Sequence, residues 1–260
     1  MAGATANLVE VFSSIQGEGP EVGTRTLFVR FGGCDLRCSW CDSPGTWKPA
    51  ARLRIETAPG SGEYRELPNP VALADVEAAA VALDLAGHRW VSLTGGEPLL
   101  QPAAVAGLAE RLGGAGPGLF LETHGLHADA LAQVVDRIDL VSMDWKLASD
   151  VRRADESKTG ERRPFHAEHE RFLEVARAAP RVVVKLVITP SSRDDEIDEV
   201  LARVERVHPQ ACLVLQPVTP TAQVRERPAA DRMQELERRA ARILAEVRVI
   251  PQTHPLVGVA

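Results

Sequence analysis

The segment CDLRCSWC, residues 34–41, decides how the rest of the chain is interpreted. It holds three of the four cysteines in the 260-residue sequence, at the spacing C-x3-C-x2-C. Buried structural cysteines are ordinarily scattered over core strands rather than gathered on one short loop. The crowding therefore indicates a shared role for Cys34, Cys38 and Cys41, and the question is which metal centre three thiolates at this spacing suit.

A structural zinc site is one alternative. Such a site takes four ligands, usually from two knuckles, and a second knuckle is missing here. Cys212 stands alone in an apolar stretch and fits a small core residue better than a fourth ligand. His88, His124 and His127 are chemically able to complete a zinc site, but no spacing argues for them.

An iron–sulfur cluster is the other alternative, because four thiolates saturate a cubane of four irons. Three thiolates on one loop leave one iron without a protein ligand, and that iron is able to bind another molecule. Cys38 and Cys41 suit neighbouring irons, and the extra residue after Cys34 lets the loop reach a third. Trp40 either shields such a cluster or stacks on its bound ligand, or it simply packs against its surroundings.

Composition bounds the class of protein. The chain is 45% hydrophobic and 25% charged, which suffices for a buried core. With 36 acidic and 30 basic residues the formal charge is −6, and no basic tract indicates nucleic acid or a membrane surface. We expect no secretory signal in MAGATANLVEV, no membrane span, and a reducing, cytoplasmic location.

The chain alternates between short β-rich runs and longer helical patterns. The predicted strands are 8–12, 26–31, 90–93, 119–122, 140–144, 181–188, 212–216 and 247–250. The predicted helices are 71–87, 102–112, 127–136, 166–178, 193–207 and 228–246. This rhythm predicts βαβ units, a mainly parallel sheet and one α/β domain over residues 1–260.

Two segments interrupt the rhythm. Residues 49–70 contain a PGSGE turn and predict a surface β-hairpin or a flexible insertion. Residues 150–163 are a run of mixed charge and predict a solvated loop.

Two further polar motifs accompany the cysteines. TGGEP (94–98) directly follows a predicted strand, and its glycines let the backbone bend sharply and approach a ligand. SIQGEG (14–19) offers Gln16 and Glu18 as hydrogen-bonding groups for a flat heterocycle edge. Arg30 lies in a predicted strand and needs an anionic partner, which is either a substrate carboxylate or an internal acidic residue.

The cysteine spacing, with an aromatic residue before the last cysteine, resembles that of the radical S-adenosylmethionine (SAM) enzymes. Within that superfamily the chain resembles the 7-carboxy-7-deazaguanine synthase (QueE) family. The motifs that carry the resemblance are QGEG (16–19), FVRFGGC (28–34), CSWCD (38–42), TGGEP (94–98), ETHG (122–125) and QTH (252–254). They keep the order of the family along nearly the whole chain.

The resemblance implies a partial, open βα barrel and a radical-mediated ring contraction. Its substrate would be 6-carboxy-5,6,7,8-tetrahydropterin, and its product 7-carboxy-7-deazaguanine, with loss of ammonia, on the route to queuosine and other 7-deazapurines. The cofactors would be a [4Fe–4S] cluster, SAM and Mg²⁺. SAM would yield a 5′-deoxyadenosyl radical that recovers its hydrogen at the end of the cycle.

The resemblance also assigns the site residues. The metal ligands would be Cys34, Cys38 and Cys41 for the cluster and Ser43 for Mg²⁺. Cofactor contacts would come from Trp40, Gly96, Glu97, Ser142, Asp144, Lys146, Gln216, Pro217, Val218 and Thr219. Substrate contacts would come from Ile15, Gln16, Gly17, Glu18, Arg30, Thr94 and His254. For Ser43 an ordinary turn residue stays open, and for His254 the cap of a surface strand.

The implied partners are the small pterin substrate, an electron donor such as flavodoxin or ferredoxin, and a second copy of the chain in a homodimer. Neither nucleic acid nor membrane is expected. Two rivals stay open at this point. A radical SAM activase of a glycyl-radical protein would share the cysteine spacing but would not explain SIQGEG, Arg30 or QTH. A zinc- or cluster-binding interaction module would have no use for TGGEP.

Overall fold

The computed structural model describes residues 4–114 and 116–258; residues 1–3, 115, 259 and 260 of the predicted domain lie outside them. The strands are β1 (Thr5–Ala6), β2 (Leu8–Ile15), β3 (Arg25–Phe31), β4 (Leu36–Cys38), β5 (Arg52–Glu56), β6 (Tyr64–Pro68), β7 (Val71–Ala72), β8 (Trp90–Gly95), β9 (Gly118–Thr123), β10 (Leu140–Asp144), β11 (Val151–Arg153), β12 (Arg181–Ile188), β13 (Cys212–Pro217) and β14 (Val247–Val249). The α-helices are α1 (Leu73–Ala82), α2 (Pro102–Leu112), α3 (Ala128–Leu131), α4 (His166–Ala176), α5 (Asp194–Val207), α6 (Ala230–Ala240) and α7 (His254–Val257).

Ten strands of the described ranges form one sheet in the order β14-β13-β12-β10-β9-β8-β3-β2-β5-β6. From β14 to β3 all neighbours are parallel, whereas β2 is antiparallel to β3 and β6 is antiparallel to β5. The edge strands β14 and β6 do not pair with each other, so the sheet stays open. The predicted α/β fold, a partial barrel of mainly parallel strands, is confirmed.

Helices cover one face of this sheet because their apolar residues recur at helical spacing. In α5 the buried side chains are Ile197, Val200, Leu201 and Val204, which is the i, i+3, i+4, i+7 pattern of one helix face. They join the main hydrophobic core with the outward residues of the strands. Full burial of each such side chain contributes about 1.5–3 kcal/mol, so packing holds the helices on the sheet.

The alternation of side chains along each strand separates the main core from a central cavity. In β12, Val184 and Leu186 belong to the main core, whereas Lys185 and Val187 line a central cavity on the other face. Side chains of a strand alternate between its two faces, so both sets come from one run of sequence. At the end of each strand, every second side chain therefore faces the cavity.

A second, smaller core lies on the concave side. It is formed by side chains of five neighbouring strands: Trp90, Phe120, Leu140, Val183, Cys212 and Val214. Trp90 and Phe120 meet edge to face with ring centroids 5.9 Å apart. Cys212 is thus a core residue, as its apolar surroundings in the sequence predict.

Residues 49–70 form the predicted hairpin, and they also extend the main sheet. β5 pairs with β2 in parallel and with β6 in antiparallel register. The buried carboxylate of Glu56 accepts hydrogen bonds from Ser13 N (2.9 Å) and Gly62 N (3.1 Å), which ties the turn to β2. The segment thus contains paired strands that continue the sheet, as expected for the hairpin alternative.

The prediction for residues 150–163 is wrong at its beginning. Val151–Arg153 is a strand, β11, paired in antiparallel register with β4 in the cysteine loop. The sequence does not reveal this strand, because Val151 is its only apolar residue and two arginines follow it.

The helices at 71–87, 127–136 and 228–246 are shorter than predicted. α3 keeps the smallest fraction of its predicted length and ends at Leu131, because Val134 leaves helical geometry with φ −133°. The turn that follows lets Val135 and Ile138 reach the main core. None of the described helices is both long and apolar enough to cross a membrane.

Candidate active site

The concave face of the sheet carries a cavity of about 690 Å³. It lies where β8, β10, β12 and β13 end, and the cysteine loop and the loop after β2 form the remaining walls. The cavity is lined by these predicted site residues: Ile15, Gln16, Gly17, Glu18, Arg30, Cys34, Cys38, Trp40, Cys41, Ser43, Thr94, Gly96, Ser142, Asp144, Lys146, Gln216, Val218, Thr219 and His254. Glu97 and Pro217 do not line it.

Backbone hydrogen bonds hold the cysteine loop on two sides. Cys34 N donates to Trp47 O (3.3 Å), and Cys41 N donates to Cys38 O (3.3 Å). From the other side, Ser39 N donates to Asp150 O (3.1 Å), next to the β4–β11 pairing. The loop is therefore held by two segments that follow it in the sequence, one close to it at Trp47 and one far from it at Asp150.

The chemistry of this loop fits an iron–sulfur cluster. Cys34 and Cys38 pack against a small apolar cluster that includes Leu36 and Phe165. Burial raises the pKa of Cys34 to about 12 and that of Cys38 to about 11, and it also raises the pKa of Cys41. A buried thiol stays protonated unless a metal takes the place of its proton, so this loop suits metal-bound sulfurs better than a free thiolate nucleophile.

A histidine pair lies beside the first cysteine. His124 Nε2 is 2.8 Å from Asp35 Oδ1, and His127 Nε2 is 3.2 Å from Asp35 Oδ2. Burial raises the pKa of Asp35, but the hydrogen bonds from both histidines outweigh it and hold that pKa well below its usual range. The ligand atoms of Cys34, Asp35 and His124 lie within 4.8 Å of one another, so the zinc alternative has a geometric basis here.

The glycines of TGGEP are required by close backbone contact. A Cβ on Gly95, whose φ is +115°, would lie 2.5 Å from Phe31 N. A Cβ on Gly96 would lie 2.1 Å from Gly33 O, in the segment that leads to Cys34. These two glycines thus seat the strand end directly against the cysteine loop.

Glu97 has a different position from the one its assignment as a cofactor contact suggests. Its carboxylate is fully buried and accepts hydrogen bonds from Leu99 N (2.9 Å), Thr123 Oγ1 (2.8 Å) and His124 N (2.8 Å). It braces the end of β9 from below the cavity. In this arrangement Glu97 shapes the wall through Thr123 and His124, both of which line the cavity.

A buried charge network crosses the cavity floor. Lys185 Nζ contacts the carboxylate of Glu18 and lies 3.0 Å from Asp144 Oδ1, and Lys146 Nζ lies 2.7 Å from Asp144 Oδ2. Burial disfavours the charged forms of Asp144, Lys146 and Lys185, but attraction between their opposite charges outweighs it. The pKa of Asp144 therefore falls to about 2, and the pKa values of both lysines rise. Asp144, Lys146 and Lys185 are therefore charged at neutral pH.

A histidine behind this network positions Lys146. His169 Nε2 accepts from Lys146 N (2.9 Å), and its Nδ1 lies 2.9 Å from Gly125 O, which makes Nδ1 the protonated nitrogen. Burial lowers the pKa of His169 well below its usual value, so this neutral tautomer persists. The Lys146 ammonium then lies 5.6 Å from the Trp40 ring centroid, in a cation–π contact.

The QGEG loop presents polar groups to the cavity. Gln16 Nε2 donates to Glu122 Oε1 (3.2 Å), and Gln16 Oε1 accepts from Glu18 N (3.0 Å). Glu122 also accepts from Ser92 Oγ (2.5 Å), and burial raises its pKa. This pair offers a hydrogen-bonding edge inside the cavity.

The C-terminal segment lies over this loop. Thr253 N donates to Gly17 O (2.9 Å), and Gln252 Nε2 donates to both Glu18 Oε1 (2.5 Å) and Asp42 Oδ2 (3.1 Å). A Cβ on Gly17 would lie 2.6 Å from His254 Nδ1. Of the two alternatives for His254, this position favours closure over the cavity rather than the cap of a surface strand.

Arg30 and Ser43 each have a protein partner as well as a place in the wall. Arg30 Nε donates to Glu10 Oε1 (2.8 Å), and its guanidinium lies 5.5 Å from the Phe12 ring centroid. Ser43 Oγ donates to Asp42 Oδ1 (2.9 Å). The internal ion pair of Arg30 therefore coexists with its exposure to the cavity, and Asp42 adds a carboxylate oxygen beside Ser43.

Several lining residues were not predicted as site residues, and four of them carry polar groups that the charge and hydrogen-bond networks use: Asp42, Glu122, Lys185 and Gln252. Each carried a signal in the sequence. Lys185 is a lone charge in the run VVVKLVI, and the other three lie inside family motifs. A charge within a buried strand requires a partner, which is the signal that was available for Lys185.

Comparison with known proteins defines the class first. The family model described as the Radical SAM superfamily matches residues 28–204, more than half of the chain and all three clustered cysteines. The chain therefore belongs to the radical SAM superfamily. This removes the zinc interaction module and assigns the cysteine loop to a [4Fe–4S] cluster that works with SAM.

Curated relatives define the family within that class. The chain is 38% identical to the 7-carboxy-7-deazaguanine synthase of Geobacter sulfurreducens, with 97% of each covered. It is 35% identical to the one of Methanopyrus kandleri, with 96% of this chain and 93% of that protein covered. The chain belongs to the 7-carboxy-7-deazaguanine synthase family. The crystal structure of QueE from Escherichia coli shares the fold at a TM-score of 0.60, with 20% identity and coverage of 94% and 92%.

Membership settles the kind of chemistry. The chain is a radical SAM enzyme with a [4Fe–4S] cluster, in a family that depends on Mg²⁺. It acts on a small-molecule substrate and needs a reductant.

Proposed function

We propose that this chain converts 6-carboxy-5,6,7,8-tetrahydropterin to 7-carboxy-7-deazaguanine, with loss of ammonia, in 7-deazapurine (queuosine) biosynthesis. One observation carries the proposal: a single cavity joins the three cysteines, the TGGEP strand end and the QGEG loop. The cluster and SAM, when bound, supply a radical that abstracts hydrogen. The residues of the chain bind and orient the two organic molecules and exclude water.

The proposed substrate has a flat, polar ring edge and a carboxylate. Gln16 and Glu122 present an amide and a carboxylate side by side, a suitable partner for the amino and ring N–H groups of a pterin. Arg30 keeps one guanidinium edge on Glu10 and lines the cavity, so it is proposed to receive the substrate carboxylate. Thr94, Ile15 and His254 complete this side of the wall.

The cofactor contacts are proposed on the opposite wall. Ser142, Asp144 and Lys146 lie on the end of β10 and just beyond it, and Gln216, Val218 and Thr219 follow from β13. Mixed positive and negative groups there suit the ammonium and carboxylate of an amino acid. Glu97 is proposed to act from below, and Pro217 through the turn that places Val218.

Mg²⁺ is proposed to bind beside the cysteine loop. Ser43 supplies the hydroxyl oxygen, and the adjacent Asp42 supplies a carboxylate, which is the oxygen chemistry that a hard cation prefers. We propose a single domain, a homodimer in solution, a cytoplasmic location and an electron donor of the flavodoxin or ferredoxin kind.

The direct test is anaerobic incubation of reconstituted protein with SAM, dithionite and 6-carboxytetrahydropterin, with no partner protein. The product is identified by its mass and its ultraviolet spectrum. Formation of 7-carboxy-7-deazaguanine with loss of ammonia is the expected result. Turnover only with a protein partner, or cleavage of SAM with no change to the pterin, would sink the proposal.

Arg30→Ala is expected to raise the KM for the pterin by about 10- to 100-fold, because a hydrogen bond to a charged group contributes about 1.5–3 kcal/mol. Uncoupled SAM cleavage should persist. Glu10→Gln is the matched control, since it breaks the internal ion pair and leaves the guanidinium in place. If Glu10→Gln reproduces the whole defect, or if SAM cleavage falls in parallel, Arg30 is a structural residue.

Ser43→Ala is expected to raise the Mg²⁺ concentration needed for half-maximal activity several-fold, because one oxygen ligand is lost. Ser43→Thr keeps the hydroxyl and should retain the response of the unmodified chain. The measurement is the initial rate as a function of Mg²⁺ concentration at saturating substrate. An unchanged magnesium curve in Ser43→Ala would remove Ser43 from the site.

A further inference from the structure

The ribbon formed by β4 and β11 has two different faces. Leu36, Cys38 and Val151 belong to or pack against the apolar cluster under the cysteine loop. Because side chains alternate along a strand, Arg37 and Arg152 lie on the opposite, outer face. The register pairs these two arginines directly, Arg152 against Arg37. The two arginines thus lie on one surface, and Arg37 directly precedes Cys38 in the sequence.

Within residues 4–114 and 116–258, no carboxylate forms an ion pair with either guanidinium. Arg37 Nη1 donates to Cys34 O (2.9 Å) and Leu36 O (2.6 Å) and lies over the Trp47 ring, 4.8 Å from its centroid. Arg152 Nη1 donates to two backbone oxygens, Arg153 O (3.3 Å) and Glu156 O (2.9 Å). Among the described residues, no carboxylate oxygen lies within 4.0 Å of either group.

This arrangement contrasts with the surrounding surface. Neighbouring arginines are paired: Arg153 with Glu168 at 2.7 Å, and Arg163 with Glu156 at 2.8 Å. Carboxylates are also abundant, since the chain carries a net charge of −6. Like charges placed directly opposite on two strands destabilise the pairing. An uncompensated pair of cations is therefore a local cost that an anionic partner would offset.

The position next to the cysteine loop identifies the kind of partner. A radical SAM enzyme needs an electron for each reduction of its cluster, and the shortest covalent connection from this outer face leads to Cys38. We propose that Arg37 and Arg152 form the docking surface for an acidic electron-donor protein of the flavodoxin type. In this step the donor loses one electron and the oxidised cluster gains it, with no other co-reactant.

The inference rests on the proposed function only in requiring a reducible cluster. Charges at the rim of such a surface act mainly through the association rate and its dependence on salt. The series Arg152→Lys, Arg152→Gln and Arg152→Glu changes the charge at one half-buried position from +1 to 0 to −1. Arg238→Glu is the matched control, because Arg238 is exposed in the last turn of α6, on an element that packs on β13 and β14.

The experiment mixes reduced flavodoxin with reconstituted protein in a stopped-flow instrument and follows loss of the absorbance of the oxidised cluster. Neither the pterin nor SAM is present. The second-order rate constant is measured at about 20 mM and 500 mM salt, and the Kd for oxidised flavodoxin is measured by calorimetry at both. As a control, each variant is also reduced with dithionite, a small molecule that reduces the cluster without a docked protein.

At low salt we expect Arg152→Lys to be within about twofold of the unmodified chain, Arg152→Gln to be slower, and Arg152→Glu to be slower by at least about tenfold. The differences should shrink at 500 mM salt, Kd should follow the same order, and dithionite reduction should be unchanged. Equal rates across the series, or an equal loss in Arg238→Glu, would overturn the proposal. A parallel loss with dithionite would also overturn it, since the arginine would then support the cluster itself. Failure of the proposed function is seen separately, as dithionite-reduced protein that does not transform the pterin.

Discussion

Cys38→Ala is expected to leave the chain without a stable [4Fe–4S] cluster and to reduce SAM cleavage to background, the largest effect of any single substitution considered. Cys38 lies at the end of β4, where pairing with Val151 fixes its backbone. The variant keeps the Cβ and the pairing but loses the sulfur, and two cysteine ligands do not hold a cubane that normally takes at least three. Iron and acid-labile sulfide content, the spectrum of the reduced cluster and the yield of 5′-deoxyadenosine are the measurements.

Cys212→Ala is the control for this prediction. It removes the remaining cysteine, which is buried in β13 among the second core and does not line the cavity. Iron content and SAM cleavage should match those of the unmodified chain, with at most a modest loss of stability for the smaller side chain. A cluster of normal iron content and activity in Cys38→Ala would refute the assignment of the loop.

Lys185→Met is expected to lower the free energy of unfolding at pH 7 by about 3–5 kcal/mol, because it leaves Glu18 without its cation and Asp144 with only Lys146. Methionine keeps most of the volume of the side chain, so the loss reports the missing charge. Urea denaturation followed by circular dichroism is the measurement. Lys158→Met, at an exposed position, should change stability by no more than about 0.5 kcal/mol.

The effect of Lys185→Met should also depend on pH. Asp144 has its pKa lowered to about 2, against 3.8 as its ordinary value, so its contribution is fully present above pH 4 and is lost as the pH falls towards 2. Lys185 has a raised pKa, so its contribution is present at neutral pH and is lost only in strong alkali. The gap in stability between the two proteins should therefore narrow from pH 4 down to pH 2. A gap that stays constant over this range would mean that the network is not ionic.

The strand ends that build the wall could be predicted from the sequence because their periodicity is local. In LVSMD (140–144) and CLVLQ (212–216), the outward apolar residues give the strand, and the polar residues at the end mark the edge that carries the site. The cysteine spacing and the motif order then defined the class and the family. Each of these features depends on a short stretch of residues, so a single sequence is enough to predict it.

The contacts that complete the site depend on distant residues and could not be predicted in this way. Lys185 and Glu18 are 167 positions apart, and Gln252 and Asp42 are 210 apart. The residues around Lys185 in VVVKLVI do not indicate which acidic residue pairs with it. The pairing of Arg37 with Arg152 is similarly invisible, because it follows from the register of a strand hidden in a charged segment.

The link from Gln252 to Glu18 and from Thr253 to Gly17 joins segments more than 230 residues apart. During synthesis on the ribosome, the three clustered cysteines are therefore made long before the segment that forms the last wall of the cavity. Contacts of such long range form late, because the loop that they close is costly in entropy. Until then the cysteine loop faces open solvent on that side. The cavity thus gains its last wall only after residues 252–254 have folded onto the QGEG loop.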